Sequence, residues 1–294
     1  MKNLLQTIGH TPLIKLEKIN VVSSVNLYAK LEGQNPGGSV KDRAALFMVE
    51  NAIKTGKLKN GMTIIEATSG NMGIALAMIG AQKGYSVQIV MSEGMSLERR
   101  NMLIALGATL TLTDKSLGTG GAINKAKELI TNNPEKYWFA DQFNNPDNIE
   151  AHYQTTGKEL IAEVSPLDYV VAGVGTSGTI IGIARRCRIE SPNTKIIGVF
   201  PPPGYKIQGI QNPSGDFCGS IYDENLIDEK IEVSKEDAYM MAKKVATCEG
   251  LFVGMSSGAA LFVAVDLAKK IKTGNIIVII PDRGEKYLST ELFQ

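Results

Sequence analysis

Short apolar runs rich in β-branched residues alternate with stretches of helical periodicity from residue 63 to the end of the chain. Such runs predict strands, and apolar residues spaced three and four apart predict helices. The predicted strands cover residues 63–66, 85–91, 108–113, 137–140, 168–174, 195–200, 231–233 and 275–280. The predicted helices cover residues 72–84, 96–106, 120–132, 147–164, 179–188, 235–248 and 257–271, and residues 201–228 are predicted to be irregular.

Several of these predicted strands are apolar along their whole length, as in DYVVAGV at residues 168–174. Continuously apolar strands separated by helices are typical of parallel sheets covered by helices on both faces, so we predict an α/β fold. The length of 294 residues is that of about two domains. We predict a smaller α/β domain over residues 35–145 and a larger one over residues 1–34 and 146–294.

Composition excludes several classes of partner. The chain has 31 Lys and Arg against 30 Asp and Glu, a net charge of +1, which argues against a nucleic acid or an anionic membrane surface. No apolar stretch is long enough to cross a bilayer, and the N-terminus lacks the apolar core of a signal peptide. The three cysteines show no metal-ligand spacing, so we expect no metal site and a reducing cytoplasmic location.

A lysine stands in the stretch GGSVKDR at residues 37–43, where a glycine-marked turn becomes a helix. The N-terminus of a helix is positive and disfavours a cation. Lys41 is therefore either an ordinary solvated lysine at a helix start, or a lysine held near its neutral, nucleophilic form or paired with an anion. This stretch alone leaves both interpretations open.

Two glycine-rich turns follow predicted strands. ATSGNMG at residues 67–73 offers hydroxyls, an amide and backbone N–H groups at a helix start, which suits a carboxylate or a phosphate. GVGTSGT at residues 173–179 contains the spacing G-x-G-x-x-G. The same Ser, Asn and Gly chemistry also makes well-capped turns without any ligand, so the first turn admits either interpretation.

The second turn does not fit a dinucleotide. A dinucleotide fingerprint needs an acidic residue at the end of the next strand, and that strand ends in FPPP at residues 200–203. What remains is a small cup of N–H groups and hydroxyls that suits one phosphate group. A phosphate cup, an anion-binding turn and a lysine at a helix start together indicate a pyridoxal phosphate site.

Seven motifs are spread over nearly the whole length of the chain: KLEGQNPGGSVKDRAAL, IEATSGNMGIALAMI, MSLERR, DQFNNPDNIEAHY, GVGTSGT, GMSSGAA and DRGEKYLST. In these motifs the sequence resembles the cysteine synthase (O-acetylserine sulfhydrylase) family, which consists of fold-type II pyridoxal phosphate enzymes, and it is most similar to the B type. This resemblance implies a two-domain architecture like that of the tryptophan synthase β chain, with parallel sheets flanked by helices. It also implies pyridoxal phosphate as cofactor, a homodimer, and no complex with serine acetyltransferase.

The resemblance implies a role for each residue that matches a family motif. Lys41 matches the lysine that forms the Schiff base and moves the α-proton, and Asn71 matches the partner of the cofactor's 3-hydroxyl. Ser256 matches the hydroxyl facing the pyridine nitrogen, although it could also serve as the cap of a helix. The phosphate loop comprises Gly175, Thr176, Ser177, Gly178 and Thr179. The substrate carboxylate pocket comprises Thr68, Ser69, Asn71 and Gln142.

The implied reaction is a β-replacement through an α-aminoacrylate, in which O-acetylserine and sulfide give cysteine and acetate. An alternative is production of hydrogen sulfide from L-cysteine, with serine or lanthionine as the other product. A serine/threonine dehydratase and a non-catalytic partner of serine acetyltransferase are more distant alternatives. The complete set of cofactor residues argues against the last of these.

Departures from the family pattern bear on the substrate. Met72 stands where relatives have a threonine, and Asp216 and Phe217 stand where B-type enzymes have a Tyr-Leu-Pro-like stretch. An acidic Asp216 near the mouth would disfavour anionic sulfur donors and favour a second amino acid, unless it is a solvated loop residue. These three are the candidate specificity residues. Arg99 and Arg100 are predicted to lie on a solvated helix face.

Overall fold

A computed structural model describes residues 3–20, 22–68, 70–213 and 219–294. Over these residues the chain forms two sheets flanked by helices. The strands are β1 (Leu13–Lys15), β2 (Val25–Leu31), β3 (Thr63–Ala67), β4 (Ser86–Ser92), β5 (Thr109–Thr113), β6 (Tyr137–Phe139), β7 (Tyr169–Gly173), β8 (Lys195–Phe200), β9 (Glu229–Glu232) and β10 (Gly274–Ile280). The helices are α1 (Lys41–Lys54), α2 (Asn71–Lys83), α3 (Leu97–Ala105), α4 (Gly118–Asn132), α5 (Asp147–Gln154), α6 (Thr156–Glu163), α7 (Gly178–Glu190), α8 (Lys235–Glu249) and α9 (Met255–Lys270).

The larger sheet has the order β1-β2-β10-β7-β8-β9, and the smaller sheet has the order β5-β4-β3-β6. Every pairing is parallel except that of β1 with β2. The predicted α/β class is thus confirmed. All strands of the smaller sheet fall within residues 35–145 and all strands of the larger sheet fall outside them, which is the distribution expected if the predicted domain division is right.

Burial explains why the apolar runs are strands. In β10, five consecutive residues from Ile276 to Ile280 are buried, because helices or loops cover both faces of the larger sheet at its centre. Strand β3 is buried from Ile64 to Ala67, including the carboxyl group of Glu66. Within the described ranges, no helix is both long and apolar enough to span a bilayer.

The structure differs from the prediction in two places. Strands β1 and β2 were not predicted, and they add an antiparallel edge to the larger sheet. The single helix predicted over residues 147–164 is two helices, α5 and α6, divided at Thr155. The Thr155 hydroxyl donates to the carbonyl of Ala151 at 2.5 Å, a back-bond that bends helices. Gly157 packs against Arg186, where a Cβ would lie 2.9 Å from the Arg186 Cβ, so the second helix lies close to α7.

Candidate active site

The order of strands reverses once in each sheet. In the larger sheet β8 and β10 lie on opposite sides of β7, and in the smaller sheet β4 and β6 lie on opposite sides of β3. Open parallel sheets bind ligands at such reversals, beyond the carboxyl ends of the strands. Residues 174–177 directly follow β7, and residues 68–70 directly follow β3. Both predicted binding turns therefore lie where this kind of sheet binds ligands.

The phosphate loop leads from β7 into α7. Ser177 has a φ of 71°, a left-handed conformation that is costly for a residue other than glycine. Its hydroxyl is buried and has no hydrogen-bond partner within the part of the chain that the structure describes. Helix α7 starts at the next residue, Gly178, and the first N–H groups of a helix have no partner inside the helix. The loop thus offers unpaired donors together with the positive end of a helix, which suits an anion.

Two glycines make room for this loop. A Cβ on Gly175 would lie 2.5 Å from the carbonyl oxygen of Gly209, and a Cβ on Gly178 would lie 2.1 Å from Oδ1 of Asn148. No larger residue fits either position without moving its neighbour. The unpaired Ser177 hydroxyl, the helix start and the two glycines fit the phosphate group of pyridoxal phosphate.

Lys41 lies beside the phosphate loop. It is the first residue of α1, and its Nζ donates to Oγ1 of Thr176 at 3.1 Å. The same Oγ1 accepts from Nδ2 of Asn148, also at 3.1 Å. Burial lowers the pKa of Lys41 to about 8, and ionisation of Glu66 at higher pH opposes that shift. Lys41 is therefore not a solvated surface lysine, and a large fraction of it is neutral in mildly alkaline solution.

Asn71 begins α2 and is held by two charged residues. Its Nδ2 donates to Oδ2 of Asp282 at 2.7 Å, and its Oδ1 accepts from Nζ of Lys286 at 3.1 Å. Both partners belong to the DRGEKYLST motif, and sequence reasoning predicted no role for either. A role for Asp282 could have been inferred from its position, because it directly follows Pro281 at the carboxyl end of the apolar β10.

Thr68 and Gln142, two of the residues predicted to bind the substrate carboxylate, lie beyond the ends of β3 and β6. Thr68 is 5% exposed, and its Oγ1 accepts from the backbone N–H of Gly70 at 3.1 Å. Gln142 is 4% exposed, and its Nε2 lies 3.4 Å from the carbonyl oxygen of Ala67. The structure therefore brings Thr68 and Gln142 to the same edge of the smaller sheet.

Three of the predicted binding and specificity residues are not tested by the structure. Ser69, Asp216 and Phe217 lie outside the described residues. Met72 is described: its side chain is 1% exposed and packs in the apolar core of the smaller sheet. Only the backbone of Met72 is available at the start of α2.

Ser256 is the second residue of α9 and is buried. The helix begins two residues earlier than a cap at Ser256 would require, and its N-cap position is Gly254, which makes no side-chain cap. The interpretation of Ser256 as a helix cap is therefore wrong. Its Oγ faces Gly209, where a Cβ would lie 3.1 Å from it, close to the loop that also borders Gly175.

The prediction that Arg99 is solvated is wrong. Arg99 is 3% exposed, and its guanidinium lies 4.6 Å from the centre of the Tyr287 ring. It donates to Oε1 of Gln208 and lies against Gly70, where a Cβ would be 2.3 Å from the Arg99 Cδ. The spacing within α3 could have indicated burial of Arg99, because Arg99 is four residues from the fully buried Leu103 and so lies on the same face of the helix.

Behind the phosphate loop lies a buried histidine. Nε2 of His152 is 3.2 Å from Oγ1 of Thr179, and Nδ1 is 2.8 Å from Oγ1 of Thr156. Burial, with the positive charges of Arg43 and Lys41, lowers the pKa of His152 well below its usual value. The ring is therefore neutral at physiological pH and adds no positive charge to the phosphate loop.

Glu66 is a buried carboxyl group between the ends of β3 and β6. It accepts from the N–H of Ala67 at 3.0 Å and from the N–H of Gln142 at 3.3 Å. Burial raises the pKa of Glu66 to about 8, although these backbone hydrogen bonds oppose the shift. The group is thus mostly protonated at neutral pH, next to the carboxylate pocket.

Replacing Glu66 with glutamine should change how the stability of the apoenzyme depends on pH. The folded pKa is raised above that of the unfolded chain, so this carboxyl group contributes stability below about pH 4.5 that is lost as the pH rises through 8. Between pH 5 and pH 8 we expect the free energy of unfolding of Glu66→Gln to rise relative to that of the wild type by about 2–3 kcal/mol, which is less than the full pKa shift would give. Urea unfolding at each pH measures it, with the exposed Glu128→Gln as control. A difference that is independent of pH would contradict the expectation.

Comparison with known proteins agrees with this geometry. Residues 4–282 match the family described as pyridoxal-phosphate dependent enzyme. The cysteine synthase of Aquifex aeolicus is 45% identical, covering 99% of this chain and 92% of that protein. Cysteine synthase B of Escherichia coli is 44% identical, covering 100% and 96%. The crystal structure of a hydrogen sulfide-producing enzyme from Fusobacterium nucleatum aligns with a TM-score of 0.93 at 39% identity, covering 98% of this chain and 100% of that one. The chain therefore belongs to the cysteine synthase family of fold-type II pyridoxal phosphate-dependent enzymes.

Proposed function

We propose that this enzyme is a cysteine synthase, which replaces the acetoxy group of O-acetylserine with sulfide. The observation that carries the proposal is the hydrogen bond from Lys41 to the phosphate loop, at a site flanked by the carboxylate pocket. Full-length identity of 44–45% to two cysteine synthases supports the choice of substrates.

In this proposal each residue has a defined task. Pyridoxal phosphate, when bound, stabilises negative charge at the Cα of an amino acid. Lys41 binds the cofactor covalently and, once displaced, takes the proton from Cα, for which a pKa of about 8 is well suited. Thr68, Ser69, Gln142 and the backbone N–H of Asn71 bind the substrate carboxylate at the positive end of α2. The side-chain amide of Asn71 contacts the 3-oxygen of the cofactor.

Ser256 and the phosphate loop would hold two further groups of the cofactor, its pyridine nitrogen and its phosphate. Ser256 offers a hydroxyl to the pyridine nitrogen instead of a carboxylate, so the nitrogen is not held in its protonated form. A weaker electron sink favours loss of a β-substituent over transamination. Gly175 to Thr179 bind the phosphate through backbone N–H groups and hydroxyls, without a lysine or arginine in the loop.

The second candidate function is production of hydrogen sulfide from L-cysteine. The structural similarity to the Fusobacterium nucleatum enzyme favours it, as does Asp216 at the predicted mouth. The same residues serve both reactions, because they share proton removal at Cα and loss of the β-substituent.

Steady-state kinetics of the holoenzyme separate the two functions. We expect kcat/KM for O-acetylserine with sulfide to exceed kcat/KM for sulfide release from L-cysteine by at least about tenfold, a transition-state preference of about 1.4 kcal/mol. Faster release of sulfide from cysteine would overturn the proposal in favour of the second function. In that case Asp216→Asn should lower sulfide release, while the control Asp223→Asn should not.

We further propose that the enzyme is a cytoplasmic homodimer whose smaller domain, residues 35–145, closes over the bound substrate. The family resemblance supports the dimer and the domain motion, and a content of only three cysteines, without metal-ligand spacing, supports a reducing compartment. Sedimentation equilibrium tests the dimer, and a single species at the monomer mass of 31.7 kDa would contradict it.

A further inference from the structure

Behind Asn71 lies a buried pair of opposite charges from the C-terminal segment. Asp282 is 1% exposed and Lys286 is 3% exposed. Asp282 accepts from Nδ2 of Asn71, and Lys286 donates to Oδ1 of the same amide. The two ends of one amide are therefore bound by two residues of opposite charge that come from beyond β10.

The chemistry of this pair admits one orientation of the amide. An ionised carboxylate only accepts hydrogen bonds, an ammonium only donates them, and the two ends of an amide differ in the same way. If the Asn71 amide were turned over, its oxygen would face the Asp282 carboxylate and its NH₂ would face the Lys286 ammonium. Both contacts would then be repulsive.

The orientation leaves one donor of Asn71 for a ligand. Nδ2 carries two hydrogens, and Asp282 is its one acceptor among the residues that the structure describes. We infer that Asp282 and Lys286 are positioning residues that fix Asn71 as a hydrogen-bond donor toward the 3-oxygen of the cofactor. The inference rests on the proposed function, in which Asn71 contacts that oxygen.

Neighbouring contacts hold the charged pair in place. The Tyr287 hydroxyl donates to the same Oδ2 of Asp282 at 2.7 Å. Lys286 also donates to the carbonyl oxygen of Gly38 at 2.9 Å, in the turn that leads to Lys41. One ammonium group thus joins the turn before Lys41 to Asn71, which fixes the distance between the two proposed cofactor contacts.

The binding of pyridoxal phosphate to apoenzyme tests the inference, with Asp282→Asn as the first variant. The new amide can accept or donate, so it no longer selects one orientation of Asn71. We expect the dissociation constant to rise roughly tenfold, the effect of losing a hydrogen bond to a charged group. The visible spectrum of the bound cofactor should also shift. The matched control is Asp266→Asn, which removes an exposed carboxylate paired with Lys270 and should change neither quantity.

A double-mutant cycle with Asn71→Ala separates positioning from a structural role. If Asp282 acts through Asn71, then Asp282→Asn should weaken cofactor binding when Asn71 is present. It should have no further effect when Asn71 is already replaced by alanine. An equal effect in both backgrounds, or no effect in the wild type, would overturn the inference. Should Asp282→Asn fail to fold, the same cycle with Lys286→Met, controlled by Lys270→Met, decides the matter.

These readouts do not depend on the substrate. If wild-type enzyme binds the cofactor but fails to make cysteine, the proposed function is wrong and the cycle still reports on Asp282. If Asp282→Asn binds the cofactor as the wild type does, the inference is wrong even when cysteine is made.

Discussion

Replacing Lys41 with alanine is expected to lower the rate of β-replacement by roughly a thousandfold or more, because both covalent attachment of the cofactor and proton transfer at Cα are lost. The change should leave the fold intact. Lys41 makes a single side-chain hydrogen bond within the described part of the chain, to Thr176, and alanine is the best helix former for the first residue of α1.

Rates of cysteine formation measure this effect, and circular dichroism tests that the variant is folded. The matched control is Lys54→Ala, at the other end of the same helix, where the side chain is exposed. We expect Lys54→Ala to keep the wild-type rate. A Lys41→Ala enzyme that retains more than a tenth of the wild-type rate would show that another residue removes the proton.

Replacing Arg43 with methionine is expected to destabilise the protein by about 3–5 kcal/mol, the usual cost of breaking a buried ion pair from one side. Arg43 is 1% exposed, and its guanidinium bonds Glu32 at 2.7 Å and Glu159 at 2.6 Å. The variant would leave the fully buried carboxylate of Glu32 without its cation. The group connects α1, which carries Lys41, to the end of β2 and to α6.

Denaturant unfolding of the apoenzyme at neutral pH measures the loss. The control variant is Lys125→Met, which breaks an exposed pair with Glu128 of similar length, 2.7 Å. Exposed pairs contribute about 0–1 kcal/mol, so the control should stay within that range. If Arg43→Met lowers the free energy of unfolding by less than about 1 kcal/mol, packing of the methionine stabilises the fold about as much as the ion pair does, which would contradict the expectation.

The hydrophobic pattern predicted β7, β8 and β10 because burial on both faces makes the middle of each of these strands apolar. The same rule missed β2, whose sequence VNLYAKL includes Lys30. That lysine is fully buried and is neutralised by Glu159 and Glu163, at 3.0 and 2.9 Å. Partners more than 120 residues away in sequence cannot be identified from a local window, so the sequence alone does not show how a lysine in this strand is neutralised.

In the site, too, contacts between residues that are distant in sequence were not predicted. The phosphate loop and the carboxylate loop stand out because each is a contiguous run of glycines and hydroxyls after a strand. Asp282 and Arg99 were missed because their partners, Asn71 and Tyr287, lie far away in sequence. The fold brings them together, since the segment after β10 contacts the start of α2 at Asn71 and α3 at Arg99.

The most direct test of the central claim is to identify the lysine that carries the cofactor. The holoenzyme is treated with borohydride, which makes the attachment permanent, and is then digested and analysed by mass spectrometry. We expect the pyridoxyl mass on the peptide that contains Lys41. Lys286 is the sharpest rival, because it is buried and burial lowers its pKa as well. Label on Lys286, or on any lysine other than Lys41, would show that Lys41 does not carry the cofactor.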